Sequence, residues 1–253
     1  MKQWISGVVV ALAALAAGPA VAGQSQCPQF HPGGLAPVFS NPKLAQKTRE
    51  LCFQGFDVMH SGVTRTPLWS AEYLTREHVQ MAKAETRSND FHPETRLPED
   101  ERSELSDFRK ERLDRGHLSP AGDMPTDSAM DESFTLANMI GQAPKLNRGR
   151  WSRIEAYTRK IALNEGGEYV VTGPLFQGQQ LRVLKGRVVV PTSVFKLDYI
   201  PSKQRAFVFV AENTDEGNLT IMSVAQFEQL SGLSFPGIPA EVKNQQPPHV
   251  EIE

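Results

Sequence analysis

Asp114-Arg115-Gly116-His117 bring a carboxylate, a guanidinium and an imidazole into four consecutive residues. Phosphodiester hydrolysis asks for such groups: a base to take a proton from water, and positive charge where negative charge gathers on phosphate. Gly116 lets the backbone bend or approach another segment closely. These are four common residues, and a loop salt bridge beside an ordinary histidine fits them as well. Further on, Asn147 follows His117 by 30 residues and Glu155 follows Asn147 by eight. Mg²⁺ takes oxygen ligands and keeps several waters, so one amide oxygen and a substrate phosphate can hold it. A helix starting near Leu146 puts Asn147 in its first turn and Glu155 two turns on, about 12 Å along the axis. Side chains lean toward the helix N-terminus, so Glu155 reaches a water on the ion more easily than the ion. Arg159, four residues on, shares its face. The structural alternatives are a helix cap for Asn147 and a surface Glu155–Arg159 pair.

LCFQGFDVMH and TRTPLWSAEYLT predict an early strand pair or hairpin. Short helices are expected at 75–84 and 127–134, and charged loop with turns at 85–112. Trp151, Ile154, Tyr157 and Ile161 recur at helical spacing, so 146–163 is the clearest helix, closed by Gly166-Gly167. EYVVTGPLF, RVVVPTSVFKLDYI and RAFVFVAEN predict strands, and LTIMSVAQFEQLSGL a strand and a closing helix. The order predicts an α+β domain with a central antiparallel sheet flanked by helices. No internal repeat is present. Residues 23–47 should be mostly irregular, and the tail at 241–253, with its NQQPP run, is expected to be disordered.

The stretches DRGHLSPAGDM and FTLANMIGQAPKLNRGRWSRIEAY resemble the DNA/RNA non-specific endonuclease family, which includes Serratia-type nucleases and endonuclease G. The likeness extends over about residues 50–236 through LCFQGFDVMHSGVTRTPLWSAEYLT, VVTGPLF, VVVPTSVFKL and LSGLSFP. One departure is visible: the family's S-N-x-x-P-Q reads Ala137-Asn138-Met139-Ile140-Gly141-Gln142, with Gly141 for Pro, which should loosen that loop. The resemblance implies a ββα-metal fold and cleavage of DNA and RNA without sequence preference, leaving 5′-phosphates. It implies His117 as general base, Asn147 as the direct protein ligand to Mg²⁺ (with Mn²⁺ as substitute), and Glu155 as holder of a water on the ion. Arg115 and Arg159 would contact the phosphate or departing oxygen. Asn138 would support the His117 region, and Asp114 would orient backbone or Arg115. An upstream Arg would bind substrate, with Arg87 the first candidate and Arg96 the second.

The first residues have the three parts of a secretory leader: Lys2, an apolar run from Val8 to Ala17, and the small-residue triplet Ala20-Val21-Ala22. Removal of 1–22 leaves one domain, 23–240, followed by the tail, in the periplasm or outside the cell. Cys27 and Cys52, the two cysteines, both remain after that cut and should pair in an oxidising compartment. The net charge of −2 weighs mildly against a polyanion binder. Between 145 and 160, however, six Lys and Arg stand against Glu155 alone, so a basic face can exist on a near-neutral chain. DNA and RNA are the expected partners, with a homodimer and an inhibitor protein as further expectations. Two other readings stay open: a non-catalytic nucleic-acid binder on the same fold, and a phosphodiesterase for a small substrate. No helix-turn-helix or zinc finger is visible to supply base readout.

Overall fold

The computed structural model describes residues 23–250 and 252, and the leader at 1–22 lies outside them. Near the N-terminus β1 (Val38–Phe39) pairs with β13 (Leu233–Ser234), close to the other end of the chain. Cys27 and Cys52 form a disulfide that fastens this arm to β2 (Thr48–Cys52), as their number and expected compartment predict. Then come β3 (Asp57–Ser61) and β4 (Thr66–Thr75), running into α1 (Arg76–Ala82), whose first turn is capped by the Thr75 hydroxyl. One helical turn, α2 (Leu105–Phe108), interrupts the charged loops. β5 (Asp114–His117), α3 (Asp127–Ser133) and β6 (Met139–Gln142) follow, then α4 (Ser152–Glu165), closed by Gly166 at φ 94°. β7 (Gly167–Leu175), the small pair β8 (Val183–Leu184) and β9 (Val188–Val189), β10 (Ser193–Ile200), β11 (Arg205–Glu212) and β12 (Leu219–Met222) come next. The chain ends in α5 (Val224–Ser231) and α6 (Ala240–Lys243).

The domain is α+β. Its centre is a seven-stranded antiparallel sheet in the order β12-β11-β10-β7-β4-β3-β2. Both faces are covered, so β10 is buried at every position. Alternation on β10 sends Phe195, Leu197 and Tyr199 into one core with Trp69, Phe227 and Phe235. Val194 and Ile200 face the other core, with Leu118, Trp151 and Ile154. Lys196 and Asp198 share that second parity and are fully buried beneath α4, as are Glu72 and Glu168.

One expectation needs correction. The clear helix at 146–163 divides into a π-helical turn over Leu146–Trp151 and α4 proper. In the tail, α6 buries Val242, and Val250 and Ile252 pack on the Trp151 core. Those apolar contacts supply what the polar NQQPP composition does not show. Among the described residues, no helix is long and apolar enough to cross a membrane.

Candidate active site

β5 and β6 pair antiparallel, Asp114 opposite Gln142 and His117 opposite Met139, and α4 follows them. Gly141 is therefore a ladder residue opposite Arg115 rather than part of a loosened loop. Gly116 is dictated by close approach, since a Cβ there would lie 2.8 Å from the Cβ of Gln142 and overlap its amide. Alternation puts Arg115 and His117 on the same side of β5. They line a cavity of about 240 Å³ with Arg87, Asn147, Ser152 and Glu155. A neighbouring cavity of about 480 Å³ shares Arg87, Arg115, Asn147 and Arg148 and adds Asp114 and Phe91.

His117 is 8% exposed, and its Nε2 is buried with no partner among the described residues. Phe134 meets the imidazole edge to face at 4.9 Å. Burial pushes the imidazole pKa down to about 3, and Arg87 and Arg115 push the same way. Asn138 does not line the cavity. It is fully buried and clamps the chain just after His117: Oδ1 accepts from Ser119 N at 3.0 Å, and Nδ2 donates to Ser119 O at 2.8 Å and Ser133 O at 3.0 Å.

Asn147 sits inside the π-helical turn and caps nothing: its Nδ2 donates to Asp114 Oδ2 at 2.9 Å. Asp114 also takes two hydrogen bonds from Arg148, at 2.8 and 2.6 Å. Partial burial raises the Asp114 pKa, but Arg148 and Asn147 outweigh it and hold the carboxyl below its usual range. Asp114 thus orients Asn147 and Arg148, not Arg115, whose guanidinium lies over the Phe91 ring at 4.0 Å. Glu155 lines the cavity. Burial pushes its pKa up to about 7; Lys196 opposes this, Asp123 adds to it, and Arg159 and Arg87 oppose it. Arg159 does not form the surface pair with Glu155 considered above. Its Nη1 donates to the buried Asp123 at 2.8 Å, which ties α4 to the loop following His117.

The two upstream candidates separate. Arg87 lines both cavities and lies 5.3 Å from the Phe134 ring centroid. Arg96 is bound to Glu94 and to Cys52 O and lies over Phe53, outside both cavities. Arg148 and Asp123 were not singled out from the sequence. Arg148 adjoins Asn147 in the basic run, which was a usable signal. Nothing in DRGHLSPAGDM marks Asp123 as buried.

An ion at this site has fitting donors. With Nδ2 given to Asp114, Asn147 keeps its amide oxygen for a cation, beside the Glu155 carboxyl and the unpartnered His117. Elsewhere among the described residues, Cys27, Glu50 and Asp57 lie close enough to share a metal, but Cys27 is committed to the disulfide.

The β5–β6 pair followed by α4 is a ββα arrangement, and the fold matches a solved nuclease. A crystal structure of the EndoG/EndoGI complex aligns with TM-score 0.69 and 24% identity, covering 79% of this chain and 92% of that one. The chain belongs to the DNA/RNA non-specific endonuclease family, whose sequence profile matches residues 36–239. It is 29% identical to Nuclease C1 of Cunninghamella echinulata var. echinulata over 217 residues, 78% of this chain and 85% of that protein. It is 30% identical to human mitochondrial Endonuclease G over 214 residues, 77% of this chain and 70% of that protein. For some mitochondrial relatives the chain spans only about half of their length.

Proposed function

We propose that this protein is an exported, metal-dependent hydrolase that cuts phosphodiester bonds within DNA and RNA with little sequence preference. The observation that carries the reading is the buried, unpartnered His117 Nε2 in a cavity walled by Arg87, Arg115, Asn147 and Glu155. His117 is the general base. The burial that lowers its pKa keeps it neutral, and an arriving phosphate raises its basicity by placing negative charge nearby. Arg87 and Arg115 bind the phosphate. Arg159, anchored on Asp123, holds the departing side. Asn138 fixes the loop that follows His117. Asn147 would be the protein ligand to Mg²⁺, and Glu155 would accept hydrogen bonds from water held at the ion. When bound, the ion supplies positive charge against the phosphate and the departing 3′-oxygen. Contacts of this kind carry no sequence information. Export rests on the leader, and an inhibitor protein and a homodimer remain expectations of the same reading.

The test is a gel with plasmid DNA, RNA and a small phosphodiester, each with Mg²⁺ or EDTA. The account expects both polymers to be cut internally and EDTA to stop it. Binding without cleavage would favour the non-catalytic reading, and cleavage of the small ester alone would favour the small-substrate one.

A further inference from the structure

The far side of α4 carries another cavity, of about 510 Å³. Tyr157, Lys160 and Ile161 stand three and four residues apart on one helix face, roughly opposite that of Glu155 and Arg159. Lys160 of the basic run therefore points away from the candidate active site. The floor is apolar, made by Ile161, Ile200 and Phe207, and Pro248 of the tail forms part of the wall. Lys160, Lys203 and Arg205 bring three cations to the rim. Lys203 is paired with Glu165 at 3.1 Å. Lys160 and Arg205 are exposed and have no acidic partner among the described residues. Tyr157 stands half-buried, held edge-on by Phe209 at 5.9 Å.

A cavity of several hundred Å³ with an apolar floor and a few polar groups at its mouth has the form of a ligand site. Here the unmatched charge is positive and a wall is aromatic. Single strands are recognised by this pair of features, with cations on phosphate and ring faces or edges against bases, whatever the sequence.

We propose that this cavity is a second nucleic-acid contact, holding one phosphorylated nucleotide unit of a single strand outside the cleft. Its phosphate sits on Lys160 and Arg205, and its base lies against Tyr157 and the apolar floor. The site has no histidine or metal-ligand set in its lining, so it retains strand and does not cut. This rests on the nuclease reading, because a strand-retaining site is useful to a protein that cuts strands.

The experiment uses His117→Ala protein in EDTA, so that nothing is cleaved, with thymidine 5′-phosphate as probe followed by NMR titration. Adding Lys160→Glu and Arg205→Glu, both at exposed positions, should weaken binding at least tenfold. Adding Arg115→Ala and Arg148→Ala in the cleft should change it less than twofold. Thymidine lacking the phosphate should bind at least tenfold more weakly, and a hexathymidylate should bind more tightly than the single nucleotide. An unchanged affinity in the Lys160/Arg205 variant, loss of binding in the cleft variant, or absence of any binding overturns the proposal. A hexathymidylate that binds no better than the nucleotide overturns the assignment to a strand. The two readings fail separately. A parent protein that cuts no nucleic acid but binds the nucleotide here loses the nuclease reading, whereas one that cuts with EDTA sensitivity but shows no binding here loses this site.

Discussion

Asn147 gives its amide nitrogen to Asp114, so the geometry of one side chain is set by a carboxylate 33 residues earlier. Mg²⁺ keeps most of its water, and an amide ligand supplies position more than charge. Asn147→Ala should therefore lower the cleavage rate by orders of magnitude and raise the Mg²⁺ needed for half-maximal activity, in protein shown folded by circular dichroism. A cap would behave otherwise, costing about 1 kcal/mol of stability and leaving the metal titration unmoved. An unchanged titration would remove the ligand role. His117, Arg115, Asn147 and Glu155 were legible only through the family resemblance, since each residue type taken alone fits a structural reading as well. The hydrogen bonds of Asp114 to Asn147 and Arg148, and of Arg159 to Asp123, were not legible, since which acid meets which donor depends on how the 118–124 loop and the π-helical turn fold back. The choice of Arg87 over Arg96 likewise rests on which of two arginines Glu94 captures.

Among the elements, the long strands and helices were legible from apolar spacing. β5 and β6 were not. Each has four residues, and β6 is buried by distant partners, Ile140 in the Trp151 core and Met139 against Leu184 and Val190, which no local pattern reveals. The π-helical turn was hidden because the helical spacing of Trp151, Ile154, Tyr157 and Ile161 begins only at its last residue. The tight β5–β6 contact yields its own prediction. Gly116→Ala must displace the buried Gln142, an overpacking that should cost about 1–3 kcal/mol by urea unfolding. The same shift should depress cleavage, because it moves the strand carrying Arg115 and His117. A variant with parental stability and rate would show that the close approach is not needed.

On the scale of the whole molecule, formal charge understated the cleft. Asp57, Glu72, Asp123, Glu168 and Asp198 are buried; burial pushes Asp57 and Asp198 up to about 7 and raises Glu72 and Glu168 well above their usual range. These acids count in the sum of −2 yet add little negative surface. Burial has the opposite effect on His60, whose Nε2 donates to Glu101 O at 3.0 Å and whose pKa falls to about 4. A depressed folded pKa means the unfolded chain binds the extra proton first. Stability from this group is full above about pH 6.5 and declines as pH falls toward 4. His60→Gln can keep the bond to Glu101, so its loss of stability between those pH values should be shallower, by at most about 1.4 kcal/mol per pH unit. Parallel urea midpoints at pH 6.5, 5.5 and 4.5 would check this, and identical slopes would contradict it. The proposed function turns on one imidazole, that of His117, which burial keeps neutral. The most direct test is therefore plasmid cleavage by folded His117→Ala protein in Mg²⁺, with DNA binding measured alongside. The account predicts binding close to the parent and cleavage reduced by at least about a hundredfold, as expected for loss of a general base. Near-parental cleavage by that variant would contradict it.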